Sequence, residues 1–523
     1  MSGKQLVPPF QKNKIPEQIL SKFFYNGYFL TMFFFLLGSP FTTHAASPQQ
    51  ISLSLHKAVM IALKNNVDLQ IEREQIQLRE WGLDEEEAQF NPSLRFDIKA
   101  DRTIRSSAIR FETGGGGTSR IVQENQRVNA GINQRFRWGG DYALTIGQLR
   151  SEASFQAINP TYNGDLTFSV TQPLLRGFGR EIIEGPIRIA ITNAEISQAD
   201  LQVKALNLIL NVSDAYWNLI FHLENLKVNQ QTLQSAKQLL KSIKAKVDLG
   251  LLAPIEILVA DAEVASREEG VVIAKKEVLD TQDLLRNLLN LPTQSSDSPS
   301  AVLPMDRPTE TKQNIDEKSL LEWALTHRPE LEQNRLLMLN RQQSRQIAEN
   351  QLSPSLDFVG SVGLNGLGAE FSDDVDQLIS GSFHQWAAGL VLSFPIGNHA
   401  AQANLQKQKT EIRKTMLDRT RLIQQIILET KKGLRRVETD FQRIKTTQRA
   451  RFLSEEKLSA GNERFQLGLL SSQDLLEFQD DLSDAKRREL KAVIDYNKSL
   501  VNLDKSTGAL FGRYEIEMVP PRN

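Results

Sequence analysis

The chain has 523 residues, with 62 Lys and Arg against 63 Asp and Glu, and it contains no cysteine. The balanced charge gives no argument for nucleic acid binding, and the lack of cysteine excludes disulfides and thiolate chemistry. After the N-terminus there is no run of about 20 apolar residues. This excludes transmembrane helices but not transmembrane strands, because alternating strands barely raise the mean hydropathy.

The N-terminus has the features of an export signal. Four lysines precede the apolar stretch Phe23–Leu37, and Thr43-His44-Ala45 offers small residues at the spacing that signal peptidase reads. We expect residues 1–46 to be a signal peptide. An uncleaved anchor is the alternative, because the segment before the apolar stretch is long.

A helix and then alternating strands open the chain that follows. The segment from Leu55 to about Gln89 is predicted to be one helix that ends before Asn91-Pro92. Between there and Pro173, four stretches alternate apolar with polar or charged residues. Their apolar positions include Leu94, Phe96, Ile98, Val128, Ile132, Leu144, Ile146, Leu166 and Phe168. This pattern is typical of a barrel with a water-filled interior, and a half-buried sheet in a soluble protein is the alternative.

A long helical rod comes next. From Leu201 to Val247 apolar residues recur at an average spacing of about 3.5, which predicts a left-handed coiled coil. The helix is predicted to extend from Pro186 to just before Gly250, a length of about 95 Å. A returning helix then carries apolar residues at strict sevens: Ile257, Val264, Val271, Val278 and Leu285.

The pattern then begins again, which indicates an internal duplication. Gln89–Leu94 matches Gln351–Leu356, 262 residues later (position 351 against 89), and Leu249–Leu252 matches Leu467–Leu470. The second half has only two evident strands, so the first half holds about 40 extra residues between its junction prolines. The predicted divisions are a signal peptide at 1–46, a first repeat at 47–292, a linker or equatorial segment at 293–318, a second repeat at 319–512 and a C-terminal tail at 513–523.

Each half reads as short helix, strands, long helix, turn and returning helix. The strands must be even in number, because the chain returns each time to the helical side. So few strands cannot close a barrel within one chain, and an open sheet edge cannot face lipid. Several chains must therefore pool their strands.

A resemblance to a known family rests on four motifs. They are the Leu-Xaa-Xaa-Ala start, Pro-Ser-Leu before the strands, Gln-Pro-Leu-Leu-Arg-Gly after them and both Gly-Leu-Leu turns. In this order and duplicated spacing, they resemble the TolC-like outer-membrane efflux proteins over nearly all of the chain after Ser47. The resemblance implies a mostly α fold: a long coiled-coil helical tunnel plus an antiparallel transmembrane β-barrel shared by three chains, with duplicated halves. The expected location is a Gram-negative-type outer membrane, with the tunnel extending through the periplasm.

The same resemblance implies a function and its partners. The expected role is the exit duct of a tripartite efflux or type I secretion system. The expected partners are two further copies in a homotrimer, outer membrane lipid, a periplasmic adaptor (a membrane fusion protein) and an inner-membrane pump or ABC transporter. No cofactor is expected. A purely structural periplasmic coiled-coil scaffold and a membrane-bound enzyme are the alternatives.

The extra residues of the first half leave two barrel sizes open. Family members pool twelve strands, whereas four strands in this first half would allow eighteen. Alternatively the added hairpin lies outside the barrel. We expect the hairpin to lie outside, because the duplicated scaffold favours an unchanged core.

The candidate pore constriction is Asp474 with Glu477, which are three residues apart and share a helix face. The resemblance places two acidic residues at these positions, projecting into the tunnel at its periplasmic end. Three copies would place six carboxylates in a ring, which favours bound cations. The alternative is an ordinary solvated helix face.

The resemblance also implies gate contacts and docking tips near the two turns. The gate positions are Glu256, Arg464, Phe465 and Leu470. Phe465 stands where a Tyr is typical and Leu470 where an Arg is typical, so closure must rely on apolar contact or on Arg464. The tips expected to dock the adaptor are Gly250, Leu251, Leu252, Gly468, Leu469 and Leu470.

Catalytic and metal chemistry have no support in the sequence. The six histidines show no ligand spacing, and His222 on the coiled-coil stripe is predicted to set the helix register rather than bind metal. The glycines at 114–117 lack the flanking strand and Lys-Ser/Thr of a phosphate loop, which indicates a flexible loop. No metal site and no catalytic residues are therefore predicted.

Overall fold

A computed structural model of the chain describes residues 51–107, 119–153, 157–291 and 302–516. The predicted signal peptide and the Gly114–Gly117 loop lie outside the described residues. So do positions 293–301 of the predicted linker and 517–523 of the predicted tail.

The first repeat contains helices at both ends and strands between them. Strand β1 (Ile51–Leu53) precedes two helices, four strands and three further helices. In order these are α1 (Leu55–Asn65), α2 (Val67–Ala88), β2 (Ser93–Ser107), β3 (Ser119–Arg135), β4 (Asp141–Ala153), β5 (Thr161–Pro173), α3 (Arg180–Ile183), α4 (Gly185–Asp248) and α5 (Ile255–Leu289).

The second repeat follows the same plan with two strands in place of four. Its elements are β6 (Val302–Pro304), α6 (Glu317–His327), α7 (Pro329–Asn350), β7 (Ser355–Asn365), α8 (Phe371–Ser380), β8 (His384–Ser393), α9 (His399–Gln466), α10 (Ser472–Thr507) and α11 (Leu510–Arg513). Helices α1 and α6 are both 11 residues long, and α2 and α7 are both 22 residues long. Each pair starts 262 positions apart (317 against 55, and 329 against 67), which is the offset of the sequence match.

The long helix α4 buries the stripe that the sequence predicts. It runs for 64 residues with Pro186 in its first turn. None of the fourteen heptad positions between Leu201 and Val247 is exposed. The returning helix α5 packs antiparallel against it and buries Val264, Val271, Val278 and Leu285, the predicted positions at sevens. The predicted long helix and its returning helix are therefore confirmed, although Ile257, the first predicted position at sevens, is only partly buried. The prediction of one helix from Leu55 to about Gln89 is wrong, because the backbone is extended at Asn66, whose side chain caps a second helix, α2.

Apart from the separate β1–β6 pair, the strands form one six-stranded antiparallel sheet in the order β2-β3-β4-β5-β7-β8. All four strands of the first repeat belong to it, and β5 pairs directly with β7 of the second repeat. The prediction of four strands in one half and two in the other is confirmed. The hairpin expected to lie outside the barrel is instead part of the sheet, because β3 and β4 are hydrogen-bonded into its continuous ladder.

The strand register aligns the alternating apolar and polar residues of all six strands, so each side of the sheet has one character. One row joins Leu94, Ile132, Leu144, Phe168, Val362 and Trp386. The neighbouring row on the opposite side joins Arg95, Gly131, Thr145, Thr167, Gly363 and Gln385. We call the first side the apolar face and the second the polar face. The large side chains of the apolar face row are exposed to solvent in the single chain.

The two repeats are joined at the middle of the helical part. Strand β1 pairs in parallel with β6. The buried Tyr216 hydroxyl of α4 lies 3.0 Å from Leu53 O of β1 and also contacts the residues that follow β6. It donates to Asp306 Oδ2 (2.6 Å) and accepts from the backbone N–H groups of Met305 and Asp306 (3.1 Å each). Burial and the hydrogen bond to Asp306 raise the pKa of this phenol, so it stays neutral. The described part of the predicted linker is thus packed against the helices.

No helix among the described residues is long and apolar enough to cross a membrane.

Candidate functional site

Two equivalent turns end the long helices α4 and α9. Gly250 and Gly468 adopt φ values of +71° and +75°, the left-handed conformation that favours glycine after a helix. The N–H of Leu251 reaches Lys246 O at 2.8 Å, and the N–H of Leu469 reaches Arg464 O at 2.9 Å. Both turns are therefore Schellman caps, as the two Gly-Leu-Leu sequences suggest.

The leucines of each turn separate into an exposed and a packed member. Leu251 and Leu469 are 69% and 65% exposed. Leu252 and Leu470 instead pack against the hydrophobic cluster at this end of the helices. Four of the six predicted docking residues are thus exposed: Gly250, Leu251, Gly468 and Leu469. The leucines just before each glycine, Leu249 and Leu467, add to the exposed apolar surface.

That hydrophobic cluster, which we call the tip core, joins all four long helices. It contains Ala236, Leu239, Leu240 and Ile243 of α4, Ala260 and Val264 of α5, Phe465 of α9, and Leu475 and Leu476 of α10. Because each helix contributes, the tip core holds the two turns at one end of the molecule. The predicted site residues near both turns are therefore brought together within one chain.

Asp474 and Glu477 both lie in the first turns of α10 and are both exposed. Ser471 caps this helix: its side-chain oxygen accepts from the N–H of Asp474 (3.1 Å) and donates to Asp474 Oδ2 (2.7 Å). Leu475 and Leu476 between them are buried in the tip core. This burial turns the two carboxylates away from the chain's own interior, and the helix N-terminus stabilises their negative charge.

The predicted gate residues make contacts within the chain. Phe465 is only 5% exposed, and Lys246 of α4 holds it in two ways. The Lys246 Nζ donates to Phe465 O at 2.9 Å and lies 3.9 Å from the centre of its ring. Glu256, at the start of α5, accepts a hydrogen bond from the Ser472 hydroxyl at the start of α10. Arg464 is exposed, and its guanidinium reaches no carboxylate within 4 Å in the part of the chain that the structure describes.

Sequence reasoning missed Lys246, Ser472 and a third link between the repeats. Arg267 of α5 forms ion pairs with Glu263 on its own helix and with Asp480 of α10. All three links join a helix of the first repeat to a helix of the second near the turns. A Lys one turn before a helix-ending glycine is a common cap residue, so its sequence context gives no signal of the contact.

A second charged surface lies on the polar face of the sheet. Its ionic side chains are concentrated on β2 and β3, where Asp97 accepts from Asn129 and Asp101 accepts from Asn125, both at 2.9 Å. A cleft of about 480 Å³ lies here, lined in part by Arg95, Asp97, Arg127, Asn129 and Asp165. The rest of this face, on β4 to β8, carries mostly small or neutral residues such as Ala143, Thr145, Gly147, Thr167, Ser169, Ser361 and Gly363.

His222 is paired with a carboxylate across the α4–α5 contact, with Nδ1 3.0 Å from Glu277 Oε2. Asn229, the other polar position of the stripe, faces Gly270 of α5, where a Cβ would lie 3.2 Å from its side-chain oxygen. Both contacts lie between the helices of one chain. Among the described residues, no group of three or more His, Asp or Glu side chains could hold a metal ion.

Comparison with known proteins gives one curated relative and several solved structures of the same shape. The pyoverdine export outer membrane protein OpmQ of Pseudomonas putida is 22% identical over 322 residues, covering 60% of this chain and 65% of that protein. The alignment thus spans just under two thirds of the relative's own length.

Among solved structures, the outer-membrane channel OprN is 18% identical, with 87% of this chain and 90% of that chain covered at a TM-score of 0.65. The Campylobacter jejuni CmeC outer membrane channel is 18% identical, with 87% and 85% covered at a TM-score of 0.63. The open state of the Neisseria gonorrhoeae MtrE outer membrane channel is 18% identical, with 88% and 93% covered at 0.62. At these identities the likeness shows the fold.

The family comparison covers most of the chain and includes both repeats. The sequence profile of the outer membrane efflux protein family matches residues 59–291 and 320–509. The two segments correspond to the two repeats and leave out the segment between them. Family and relatives agree on the outer membrane as the location of the protein. The chain belongs to the outer membrane efflux protein family.

Proposed function

We propose that this protein is a homotrimeric outer-membrane channel that spans the periplasm and acts as the exit duct of a tripartite efflux or type I secretion system. The observation that carries the proposal is the open sheet of an outer-membrane protein. Strands β2 and β8 are its edges, and neither has a second strand partner among the described residues. An unpaired edge cannot face lipid, because its N–H and C=O groups would have no hydrogen-bond partner.

Pairing between copies would provide hydrogen-bond partners for both edge strands. Six strands are too few to close a barrel around a channel, so copies join β8 of one to β2 of the next. Three copies give an eighteen-stranded barrel with the apolar face towards lipid and the polar face towards the channel. Helices α4 and α9, of 64 and 68 residues, are each about 100 Å long and continue the wall into the periplasm.

The oligomeric state of the purified protein tests this proposal. Protein extracted from outer membranes with detergent is expected to form heat-modifiable trimers, seen in electron micrographs as particles with a long hollow stalk. A cysteine pair placed at the two edges, Phe96→Cys on β2 with Leu390→Cys on β8, is expected to cross-link between copies. Release without detergent, or a monomeric particle, would instead support a structural coiled-coil scaffold.

Asp474 and Glu477 form the proposed selectivity ring at the periplasmic end. The tip core turns both carboxylates away from the chain's own interior. Around a threefold axis, three copies would bring six carboxylates together. A ring of this charge attracts cations and is blocked by those with several charges.

The ring is tested with Asp474→Asn/Glu477→Gln in planar lipid bilayers. We expect a severalfold loss of cation over anion selectivity and a similar loss of block by trivalent cations. The matched control is Asp84→Asn/Glu87→Gln, an exposed acidic pair of the same spacing at the far end of the helical part. Unchanged selectivity in the first variant, or equal changes in both, would remove the ring assignment.

Contacts between the two repeats at the tip form the proposed gate. Phe465 and Lys246 tie α9 to α4, and Glu256 with Ser472 ties α10 to α5. Leu470 packs beside them, and Arg464 is left exposed towards a neighbouring copy. While these links hold, the second helix pair stays against the first and the channel stays narrow.

Phe465→Ala tests the gate, because it removes a buried ring from the tip core together with its contact to Lys246. We expect a severalfold increase in mean single-channel conductance and entry of large antibiotics into cells. Phe452→Ala, an exposed phenylalanine on the same helix, is the control. A Phe465→Ala channel with wild-type conductance and normal trimer yield contradicts the gate.

The exposed turn leucines are the proposed docking tips for the periplasmic adaptor. Gly250 and Gly468 shape the two turns, which leaves Leu251 and Leu469 exposed at equivalent positions. Two similar turns in each of three copies would present six exposed leucine side chains in nearly equivalent positions. Leu252 and Leu470 support the turns from the tip core.

Docking is tested by placing a photoreactive amino acid at Leu251 or Leu469 in the native host. We expect cross-links to a periplasmic adaptor, recognised by its helical hairpin. The same probe at Leu258, exposed on α5 beyond the turn, is expected to give at least threefold less cross-linked adaptor. Equal cross-linking at all three positions would argue against tip docking.

A further inference from the structure

The short helix α8 lies on the apolar face of the sheet, at the end remote from the long helices. It follows β7, whose first residue adjoins α7 and whose last residue lies at the opposite end of the sheet. Asp374 is fully buried, and its Oδ1 accepts from the N–H of Gly164 on β5 at 2.7 Å. A Cβ at Gly164 would lie 2.8 Å from Asp374 Oδ2, and one at Gly366 would lie 2.2 Å from Asp374 O. These two glycines make the close seating of α8 possible.

Helix α8 carries an apolar stripe that it does not fully bury. Phe371, Val375, Leu378 and Ile379 follow the i, i+4, i+7, i+8 spacing of one helix face. Ile379 is 76% exposed and Phe371 is also exposed. Asp373 and Asp376 are exposed to the other side. A ten-residue helix of this pattern is suited to an interface between water and lipid.

A cleft of about 440 Å³ separates this stripe from the sheet. Its floor is formed by apolar-face residues of four strands: Val128, Ala130, Ile146, Leu166 and Leu364. Its roof is the stripe of α8. Apart from Gln148 at one side, its lining side chains are apolar, so a hydrocarbon chain fits its chemistry and a polar solute does not.

The apolar face becomes charged next to the cleft. The row that joins Ala100, Gln126, Arg150 and Tyr162 introduces the first cation, and the next row holds the Arg102–Glu124 ion pair at 3.1 Å. The Tyr162 ring lies 6.5 Å from that of Phe371, which ties α8 to this boundary. The cleft therefore opens at the level where apolar surface meets charge, as acyl chains meet head groups in a membrane.

A second copy of the chain does not fit as the occupant. The floor lies on β3, β4, β5 and β7, which are the interior strands of the sheet. Copies that pair through the edges β2 and β8 would leave these strands uncovered. The cleft is instead continuous with the exposed apolar face on both sides, including Ile98, Leu144 and Phe168.

We propose that this cleft binds an acyl chain of an outer-leaflet membrane lipid, with α8 lying along the membrane interface above it. The proposal rests on the proposed function, since it needs the apolar face to be turned towards lipid. The cleft would be a specific lipid-binding site on a surface that otherwise contacts lipid non-specifically.

The experiment uses the full trimer in liposomes that contain a phosphatidylcholine with a photoreactive diazirine on its acyl chain. After illumination, labelled residues are located by mass spectrometry. Ala130→Trp fills the cleft from its floor, and Ala388→Trp is the matched control on the apolar face of β8, outside the cleft. Trimer stability to heat in detergent verifies that both variants fold.

We expect label on α8 and on Trp386–Leu392 of β8 in the unaltered protein. Ala130→Trp should lower the α8 label at least threefold and leave the β8 label unchanged, while Ala388→Trp should leave the α8 label unchanged. Label on β8 without label on α8, or α8 label that Ala130→Trp does not lower, overturns the lipid site and leaves the proposed channel intact. Absence of label from β8 as well overturns both.

Discussion

The unsatisfied hydrogen bonds at the two edges of the sheet constrain everything else in this protein. A six-stranded sheet with one apolar face must cover its edges before it can enter a membrane, since hydrocarbon offers no donors or acceptors. The chain has no other strand among its described residues that could cover them, apart from the short β1–β6 pair among the helices. In the proposed assembly, strands of other copies supply the missing partners at both edges.

The duplication explains why one chain contains two similar sets of helices. Each repeat leaves the helical part, passes through an even number of strands and returns, so the helices α1 and α2 can be reused as α6 and α7 at an unchanged offset. The two strands added in the first repeat do not disturb this plan. A hairpin widens the sheet, and the chain still enters and leaves the sheet on its helical side. The repeats are therefore equivalent along the helices and unequal in the sheet.

The two ends of the molecule are stabilised by different interactions. At the tips, the tip core and the contacts of Lys246, Glu256 and Arg267 hold four helices together inside one chain. In the sheet, backbone hydrogen bonds between strands provide the order, and the large apolar side chains are exposed in the single chain. Helix α8 is the exception at the sheet end, since specific contacts to Gly164 and Gly366 hold it.

The sequence alone determined the long and returning helices, the number of strands that each repeat gives to the six-stranded sheet and the two faces of that sheet. These follow from spacings of 3.5 and 2 residues, which are local properties of the chain. It also indicated both turns, because glycine before two leucines stops a helix in a recognisable way. Only the tertiary structure decided that the added hairpin is part of the sheet, that Lys246 holds Phe465 and that Asp374 seats α8 on Gly164. The last two contacts join residues 219 and 210 positions apart. No local pattern encodes such pairs, because their partners meet only when the two repeats pack side by side.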